Sequence, residues 1–533
     1  MEAIDQECVV APGDLREAPI SVTTTETNLT GNWKFSRPEL METAPPCTAG
    51  CPLQNDIRSI ADLLQRSAPE AALEILRRSN PLPAVTGRVC PGFCSQSCSR
   101  AELDQCVQIS RLERYLGDLG LSRPYPAPER MRGEKAAVIG SGPAGISAAY
   151  QLARQGIGVT VFEEHSSPGG LLAYGIPEYR LPKEVLGAEL DNLFRSLPLE
   201  LVTERRITPS EAEAMQEEYD FLFCAPGLWG TALPREYANS EGVRHGLELL
   251  QAINSGHVPQ ESRFTVVGGG NVALDTARCL YRLGKQARIV YRRSMSQMPA
   301  YAEEVRQALE EGIPLLERRL IADMEKAADG LRLQLAEARE TEKGIESGEA
   351  AERLDTDLVV LAVGQTRELD FPSSESFPCI GDYQDGAGNV ARAMASGREA
   401  AERALASCGL APQKGTLQDG LESSRDSGKR LGLYLLQPEP SFPSQESDPS
   451  LRVKDFQEII PTPDEAEVRV LASRCLQCGR CTACGLCWFF CPDMAVRMDS
   501  QKQSVEIDVN YCKGCGLCAS VCPRGVIQMR EDV

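Results

Sequence analysis

Short apolar runs alternate with amphipathic stretches of helical length between about residues 133 and 408. The runs over 136–139, 159–162, 264–267 and 287–291 have the length of strands and are separated by segments long enough for helices. This alternation is typical of βαβ units that build a parallel sheet. We therefore expect an α/β architecture through the middle of the chain.

The ends of the chain follow other patterns. A helix is predicted over 109–115, and a capped helix over 462–475, where Pro-Asp-Glu precedes apolar residues at helical spacing. The segment from about 438 to 449 is rich in Pro, Ser and acidic residues and indicates a linker. No apolar run reaches the roughly 18 residues that a membrane-spanning helix needs. Residues 1–11 carry three acids and neither Lys nor Arg, so no targeting signal is expected and we predict a cytoplasmic location.

Composition narrows the class of protein further. The 533 residues carry a net charge of −20 without a long basic cluster, which argues against a nucleic-acid partner. The 3 His residues are far apart, so His-based hydrolysis is not expected. The 21 Cys residues occur without a secretion signal, which favours metal or cluster binding over disulfides.

Near the C-terminus the pattern C-x-x-C-x-x-C-x-x-x-C-P occurs twice, which is the signature of bacterial two-cluster ferredoxins. In this pattern the fourth Cys of each run binds the other cluster. A zinc ribbon would need only paired C-x-x-C units, without triple runs that end in Cys-Pro. One [4Fe–4S] cluster is thus expected on Cys481, Cys484, Cys487 and Cys522, and another on Cys512, Cys515, Cys518 and Cys491.

The predicted strand over 136–139 leads into G-x-G-x-x-G and a helix, and an acid, Glu163, ends the following strand. This combination is the fingerprint of a dinucleotide site. A Gly-Gly pair follows, and Gly381-Asp382 stands before a predicted helix over 389–405, which favours FAD. The expected FAD residues are Gly140, Gly142, Pro143, Ala144, Gly145, Glu163, Gly170, Leu171, Gly381 and Asp382.

A second fingerprint follows the predicted strand over 264–267, with Ala at the third glycine position. Its next strand ends in Arg292-Arg293 rather than in an acid, and guanidinium groups bind phosphate bidentately. We expect NADP(H) in preference to NAD(H), the alternative being two solvated surface arginines. The nicotinamide-cofactor residues are predicted to be Gly268, Gly270, Asn271, Val272, Ala273, Arg292 and Arg293.

Two dinucleotide sites in one chain indicate one flavin and one nicotinamide cofactor, with the second domain inserted in the first. A disulfide reductase shares this plan but needs a redox Cys pair beside the flavin. No Cys lies between Gly140 and Phe223. The sequence therefore favours an oxidoreductase that passes electrons from NAD(P)H through FAD to clusters.

At these residues the chain resembles the small subunit of NADPH-dependent glutamate synthase and the N-terminal part of dihydropyrimidine dehydrogenase. The segments that carry the resemblance are Gly87-Arg88-Val89-Cys90-Pro91, Gly169 to Leu172, Tyr174 to Pro177, Gly268 to Thr276, Tyr291 to Ser294, Met298-Pro299 and Gly381-Asp382. The resemblance implies an N-terminal helical domain with two [4Fe–4S] clusters. Cys51, Cys90 and Cys94 match three ligands of one cluster, and Glu113 stands where the family has a polar fourth ligand.

The other N-terminal cluster is expected to use Cys47 and Cys98, but the C-x-x-C that precedes Cys47 in the family is absent. Cys475-x-x-Cys478 resembles this missing element, displaced to the far end of the chain. Fifteen Cys and Glu113 then supply ligands for four [4Fe–4S] clusters. The six remaining cysteines are expected to fill space: Cys8, Cys106, Cys224, Cys279, Cys379 and Cys408.

The resulting expectation is an α/β chain with an N-terminal helical iron–sulfur domain, two interleaved Rossmann-like domains and a C-terminal α+β ferredoxin domain. The predicted boundaries are 1–132 for the helical domain, 133–240 and 366–410 for the FAD domain, 241–365 for the NAD(P)H domain, 411–470 for a linker and 471–533 for the ferredoxin domain. The ferredoxin tail resembles the delta subunit of 2-oxoacid:ferredoxin oxidoreductases. The expected partner is a redox subunit in a hetero-oligomer, such as a thiamine-diphosphate 2-oxoacid oxidoreductase or another anaerobic reductase. A flavin-based bifurcating transhydrogenase-type subunit and a glutamate synthase small subunit are the alternatives.

Overall fold

The computed structural model of the chain describes residues 29–231, 240–341, 344–410, 432–440, 442, 446–499 and 504–531. It shows the expected α/β architecture, with a helical domain near the N-terminus and a small domain of helices and strands near the C-terminus. Cys8 lies outside the described residues. In the described part of the chain, no helix is both long and apolar enough to cross a membrane.

The N-terminal domain is a small helical bundle. Its elements are β1 (Ser36–Leu40), α1 (Pro46–Ala49), α2 (Ile57–Gln65), α3 (Pro69–Arg77), α4 (Pro83–Val89), α5 (Phe93–Gln96) and α6 (Ile109–Gly120). Helices α4 and α6 cross at very short distance, because a Cβ on Gly87 would lie 2.4 Å from the backbone nitrogen of Arg114. This crossing sets the spacing between Cys90, which follows α4, and Glu113 on α6.

The FAD domain has a four-stranded parallel sheet in the order β4-β3-β2-β5. Its elements are β2 (Lys135–Ile139), α7 (Pro143–Arg154), β3 (Gly158–Phe162), α8 (Leu171–Tyr174), α9 (Lys183–Ser196), β4 (Leu199–Val202), α10 (Pro209–Met215), β5 (Phe221–Cys224) and β6 (Gly230–Thr231). The chain then leaves this sheet and returns at Cys379, whose backbone forms an isolated parallel β-bridge with Cys224 at the end of β5. The part of the chain that forms the next sheet is therefore inserted in this one.

The inserted domain has a five-stranded parallel sheet in the order β10-β9-β8-β14-β7 and a three-stranded antiparallel sheet, β11-β12-β13. Its elements are β7 (Val243–His245), α11 (Gly246–Asn254), β8 (Arg263–Val267), α12 (Asn271–Arg282), β9 (Gln286–Tyr291), α13 (Ala302–Glu310), β10 (Leu315–Glu317), β11 (Arg319–Ala327), β12 (Gly330–Thr341), β13 (Gly344–Thr356), β14 (Leu358–Leu361) and β15 (Gln365–Thr366). Helices α14 (Asp382–Asp385) and α15 (Val390–Ser407) complete the FAD domain. Helix α15 packs on α7, since a Cβ on Gly397 would lie 2.0 Å from the Ala144 carbonyl oxygen.

The segment expected as a linker is partly folded onto the protein. It contains α16 (Pro449–Arg452) and the start of α17 (Glu465–Ser473), the predicted capped helix, which opens with a capping box between Asp464 and Glu467. Phe456, Ile459 and Ile460 pack with Tyr179 and Leu250 of the nucleotide domains. Prolines keep most of this segment out of regular secondary structure, but its apolar residues bury against the nucleotide domains. The described part of the expected linker is therefore not a free spacer.

The C-terminal domain contains α18 (Leu486–Phe489), β16 (Val496–Asp499), β17 (Ser504–Ile507), α19 (Leu517–Val521) and β18 (Ile527–Glu531). Strand β18 pairs antiparallel with β1, from Ser36 opposite Glu531 to Leu40 opposite Ile527. The N-terminal segment thus adds a strand to the ferredoxin domain. Because this pairing joins the two ends of the chain, the iron–sulfur domains lie side by side.

Candidate active site and cluster sites

The first nucleotide fingerprint turns from β2 into α7. Gly140 has a φ of +98°, and a Cβ on it would lie 2.2 Å from the Ala225 carbonyl oxygen. A Cβ on Gly145 would lie 2.0 Å from the Gly140 carbonyl oxygen, so close packing requires both glycines. At Gly142, by contrast, a Cβ would meet no atom within 4 Å. The open space in front of this helix N-terminus is where a pyrophosphate fits.

A large cavity extends from this helix N-terminus between the two nucleotide domains. It brings together most of the residues predicted to bind FAD: Gly140, Gly142, Pro143, Ala144, Glu163, Gly170, Leu171, Gly381 and Asp382. Gly381 has a φ of +67°, and a Cβ on it would lie 2.6 Å from the Cβ of Ala144. Of the predicted set, Gly145 is the residue that packs the helix onto the sheet instead of lining the cavity.

Glu163 is buried at the end of β3. Its Oε2 accepts hydrogen bonds from the backbone nitrogen of Ser141 (3.1 Å) and from its hydroxyl (2.5 Å), and its Oε1 lies 3.0 Å from Nδ1 of His165. Burial raises the pKa of Glu163, but the hydrogen bonds from His165 and Ser141 outweigh burial and lower it. An anionic acceptor therefore stands where the ribose hydroxyls of a dinucleotide are expected.

The cavity also contains residues that sequence reasoning missed. Arg180 of the FAD domain donates to Asp275 of α12 across the two domains, with 2.7 Å between Nη1 and Oδ2. The ring of His165 lies 5.0 Å from that of Trp229, which lines the same cavity. These contacts join residues far apart in the chain, so no local sequence signal could have found them.

The second fingerprint repeats the geometry of the first. Gly268 has a φ of +150°, and a Cβ on it would lie 2.4 Å from the Ala362 carbonyl oxygen. A Cβ on Gly270 would meet no atom within 4 Å, and Ala273 at the third position is fully buried. Asn271 and Val272 line the large cavity, so the two helix N-termini that could hold dinucleotides open towards one space.

The arginines at the end of β9 are both exposed, outside this cavity. Nε of Arg293 pairs with Oε1 of Glu340 at 3.1 Å. No ion pair or hydrogen bond ties the Arg292 side chain to another described residue. Of the two, Arg292 is therefore the better placed for a ligand phosphate.

Four predicted cluster ligands lie close enough for their charges to interact: Cys51, Cys90, Cys94 and Glu113. Burial raises the pKa of Cys51 to about 11 and that of Cys90 to about 12. Burial also raises the pKa of Glu113 to about 7, while its Oε1 accepts hydrogen bonds from Thr86 (2.5 Å) and Asn80 (2.6 Å). This is the donor set that the resemblance implies for the first N-terminal cluster.

A small cavity in the N-terminal domain is lined by cysteines from distant parts of the chain, Cys47, Cys98, Cys475 and Cys478. Burial raises the pKa of Cys47, and the nearby Cys475 and Cys98 thiols raise it further. A metal must displace the proton from each such thiol in order to bind. The C-x-x-C displaced to the C-terminal region thus lies where the family's missing element is needed.

Buried arginines hold the displaced cysteines in place. Arg474 donates to Oδ1 of Asp104 at 3.0 Å, and its own carbonyl accepts a hydrogen bond from Arg100 at 2.6 Å. Arg58, only 2% exposed, donates to the Cys478 carbonyl at 3.1 Å. The position of Cys475 and Cys478 is therefore fixed by side chains of the N-terminal domain.

The ferredoxin domain has two small cavities of the expected composition. One is lined by Cys481, Cys484, Cys487 and Cys522, and the other by Cys491, Cys512, Cys515 and Cys518. Each contains three cysteines of one run and the fourth of the other run. The structure therefore groups these cysteines in the two sets that the spacing predicts, and their role as cluster ligands stays a prediction.

Among the described residues, no three His, Cys, Asp or Glu side chains form a group that could hold a single metal ion. Of the cysteines expected to fill space, Cys224, Cys279 and Cys379 are buried, Cys106 is half-buried and Cys408 is exposed.

Comparison with known families agrees with this geometry. The pyridine nucleotide-disulphide oxidoreductase family matches residues 134–384. The dihydropyrimidine dehydrogenase domain II, 4Fe-4S cluster family matches residues 40–124, and the 4Fe-4S dicluster domain matches residues 480–526. The three matches fall on the nucleotide domains, the helical domain and the ferredoxin domain, respectively.

Two curated relatives are similar over most of their length. The beta subunit of NADP(+)-dependent formate dehydrogenase from Moorella thermoacetica is 31% identical over 503 residues, which cover 82% of this chain and 70% of the relative. The NAD-dependent dihydropyrimidine dehydrogenase subunit PreT from Escherichia coli K12 is 30% identical over 67% of this chain and 89% of its own length. The beta subunit of NADPH-Fe(3+) oxidoreductase from Geobacter sulfurreducens is 31% identical over 61% of this chain and 52% of its own length. Among solved structures, FprA from Mycobacterium tuberculosis in complex with NADPH has a TM-score of 0.45 at 15% identity, covering 64% of this chain and 100% of that chain.

Fold and site together define a pyridine nucleotide-dependent flavoprotein oxidoreductase that carries iron–sulfur domains. Within this class, the chain belongs to the family of iron–sulfur flavoprotein subunits that includes the formate dehydrogenase beta subunit and PreT. Its function is electron transfer between NAD(P)H, a flavin and [4Fe–4S] clusters.

Proposed function

We propose that the chain oxidises NADPH in the cavity between its nucleotide domains and delivers the electrons through four [4Fe–4S] clusters to a partner subunit. The observation that carries this proposal is the cavity formed by Cys47, Cys98, Cys475 and Cys478, because it completes the fourth ligand set. A bound flavin takes two electrons as hydride from the nicotinamide and releases them singly to the clusters. The proposal needs no catalytic acid, base or nucleophile from the protein.

The proposed route starts at the flavin cavity. Val89 lines this cavity and is followed directly by Cys90, a proposed ligand of the first cluster. Cys94 of that set is close enough to Cys47 of the next set for their charges to interact. The flavin site, the first cluster set and the second set are therefore neighbours in that order.

The route continues into the ferredoxin domain. Cys478 and Cys481 belong to different ligand sets but lie on one short turn. Helix α19 carries Cys518 of the last set and leads into Cys522 of the set before it. Each neighbouring pair of sites is thus joined by a short piece of backbone, which supports a linear chain of clusters.

The last cluster set lies at the protein surface, where a partner can reach it. Cys515 is exposed, and Leu517, which lines the cavity, is 43% accessible. Trp488 (50% accessible) and Phe489 (73% accessible) are exposed shortly before Cys491 of the same set. Exposed apolar side chains grouped in this way mark interaction sites. We propose that this face, defined as Trp488 to Phe490, Met494 and Leu517, docks the subunit that exchanges electrons with the last cluster.

The names of the relatives support a catalytic partner subunit. The formate dehydrogenase and Fe(3+) oxidoreductase relatives are both beta subunits of larger enzymes. We therefore propose a hetero-oligomer in which the partner oxidises or reduces a small substrate, formate being one candidate and a 2-oxoacid oxidoreductase another. A cytoplasmic location is also proposed, because a reducing compartment keeps cluster thiols out of disulfides.

The proposed ligand residues and domain boundaries are those predicted from the sequence, except that residues from 446 onwards belong structurally with the folded domains. Arg292 is proposed to bind the 2′-phosphate of NADPH. Its exposure and the absence of an acid partner among the described residues support this role.

Anaerobic stopped-flow spectroscopy tests the proposed route. NADPH should bleach the flavin absorbance first and the cluster absorbance afterwards. Gly142→Val would place a side chain in the open space at the N-terminus of α7, where Gly142 has an unstrained φ of −68°. This variant should lose FAD and NADPH-driven cluster reduction, while dithionite still reduces its clusters.

Gly187→Val is the matched control, because Gly187 also faces open space but lies on the exposed side of α9. It should behave like wild type. If NADPH still reduces the clusters of flavin-free Gly142→Val protein, the proposed route through the flavin is wrong.

A further inference from the structure

Arg524 lies where the two iron–sulfur domains meet. It follows Cys522-Pro523, and its side chain lines the cavity of Cys481, Cys484 and Cys487. Its carbonyl oxygen accepts a hydrogen bond of 2.7 Å from the backbone nitrogen of Gly479, the residue after Cys478. The same residue therefore lies next to two neighbouring ligand sets.

Two nitrogens of the half-buried Arg524 side chain are buried without a compensating hydrogen bond. Nε and Nη1 are inaccessible to solvent, and neither has a hydrogen-bond partner among the described residues. Leaving a buried charged donor unpaired costs free energy, so such groups call for an explanation. Sulfide and thiolate groups of a bound cluster are acceptors that could pair with these donors.

The charge of Arg524 also reaches the neighbouring cavity. It is close enough to Cys475 and Cys478 to interact electrostatically with both thiols. Arg524 thus places one positive charge against two sites that each collect negative charge when loaded. Nearby charge and hydrogen bonds to sulfur are the means by which a protein sets cluster potentials.

From this position we infer that Arg524 is a positioning residue that raises the reduction potentials of the two clusters beside it, the Cys475/Cys478 cluster and the Cys481/Cys522 cluster. A cation stabilises the reduced, more negative form of each cluster more than the oxidised form. The same guanidinium would then influence both the donor and the acceptor of an electron that passes from the Cys475/Cys478 cluster to the Cys481/Cys522 cluster. The inference rests on the proposed cluster at Cys475 and Cys478.

Redox titration of the holoprotein monitored by electron paramagnetic resonance tests the inference. Arg524→Gln should keep full iron content and shift at least one midpoint by about 59 mV to more negative potential, which is a tenfold change for a one-electron couple. Arg524→Lys keeps the charge and should restore most of the wild-type potential. The matched control is Arg497→Gln, because Arg497 is 68% exposed in the same domain and lines neither cavity.

Arg524→His supplies a second test within one protein. The imidazole is charged at pH 6 and neutral at pH 8, so the affected midpoint should fall with pH more steeply than in wild type. Unchanged midpoints in iron-replete Arg524→Gln protein would overturn the inference. So would a loss of iron from both the Gln and His variants, since the side chain would then serve assembly alone.

Iron analysis of the wild-type protein separates this inference from the proposed function. A wild-type protein with only three clusters contradicts the proposed fourth site, whatever the potentials of the variants. If the wild-type protein contains four clusters and the Arg524 variants keep its midpoint potentials, only the role of Arg524 is contradicted.

Discussion

Arg58 donates a hydrogen bond to the main-chain carbonyl of Cys478, a residue 420 positions further along the chain, over 3.1 Å. The same Nη1 donates to the Thr43 carbonyl at 3.0 Å, and the arginine is only 2% exposed. Helix α2 therefore holds the turn that brings the displaced cysteine pair beside Cys47. This contact makes the C-terminal region part of the N-terminal iron–sulfur domain.

The fourth cluster gives a direct prediction for iron content. We expect about 16 iron atoms per chain in anaerobically purified protein and about 12 in Cys475→Ser, because one ligand set is then incomplete. Iron and sulfide analysis after reconstitution measures both. Cys408→Ser, which changes an exposed cysteine at the end of α15, is the control and should keep the full content. Undiminished iron in Cys475→Ser would rule out Cys475 as a ligand.

The ion pair between Asp104 and Arg474 is expected to stabilise the attachment of the Cys475–Cys478 segment to the N-terminal domain. Asp104 binds Arg100 at 2.8 Å and Arg474 at 3.0 Å, and its side chain is 9% exposed. The hydrogen bond from Arg100 holds the pKa of Asp104 well below its usual range. Asp104→Asn should therefore lower the free energy of unfolding by roughly 1.5 to 3 kcal/mol, visible as a lower Tm.

The control for Asp104 is Asp62→Asn, which breaks an ion pair with Arg66 on the surface of α2. An exposed pair of this kind contributes at most about 1 kcal/mol. Equal losses of Tm in the two variants would show that the Asp104 contact is no stronger than a surface pair.

Cofactor preference is expected to depend on Arg292. Loss of a charge-assisted bond to the 2′-phosphate costs roughly 1.5 to 3 kcal/mol, so Arg292→Ala should raise the KM for NADPH on the order of 10- to 100-fold. The KM for NADH should change little, because NADH has no such phosphate. Steady-state kinetics with both cofactors measure the difference.

Arg332→Ala is the matched control, since Arg332 is a half-exposed arginine of the antiparallel sheet paired with Asp355. It should leave both KM values unchanged. Similar losses with NADPH and NADH in Arg292→Ala would refute the assignment.

The pair of Glu163 and His165 predicts a pH dependence. The hydrogen bond that the His165 ring donates to Glu163 raises the pKa of His165, so the stabilisation by the charged ring is complete below the ordinary pKa of about 6.5. It is lost as the pH rises through the raised pKa of the folded state. We therefore expect the Tm of FAD-loaded protein to fall from pH 6 to pH 9, and to fall less in His165→Gln.

Thermal scans in buffers of equal ionic strength measure this dependence. His257→Gln removes an exposed histidine and should keep the wild-type pH profile. If His165→Gln keeps that profile too, the ion pair does not contribute to the pH dependence.

The exposed apolar face of the ferredoxin domain predicts where the partner docks. Phe489→Glu should weaken electron transfer to the isolated native partner at least about tenfold, because a charge placed in an apolar contact must be desolvated. NADPH oxidation with an artificial acceptor should stay at the wild-type rate, since Phe489 is remote from the nucleotide cavity. Val258→Glu, at an exposed apolar residue of the nicotinamide domain, is the control. Partner reduction by Phe489→Glu at the wild-type rate would place the docking site elsewhere.

Local sequence determined much of this protein. Both fingerprints could be predicted from the spacing of their glycines within one strand–turn–helix unit, and the strand and helix positions follow from the apolar pattern. The close contacts of Gly140 with Ala225 and of Gly268 with Ala362 join residues far apart in the chain. The ferredoxin ligand sets could also be predicted, because the spacing of Cys481 to Cys491 is that of a short loop around a cluster.

Tertiary structure decided the remaining features. Three contacts join residues distant in the chain: the ion pair of Arg180 with Asp275, the strand pairing of β1 with β18, and the hydrogen bond between Gly479 and Arg524. The composition around Pro449 indicates a linker, yet Phe456 and Ile459 beyond it bury against the nucleotide domains. Spacing along a chain encodes contacts within a turn or a helix. Contacts between domains depend on which surfaces bury together, and the chain must fold before those surfaces exist.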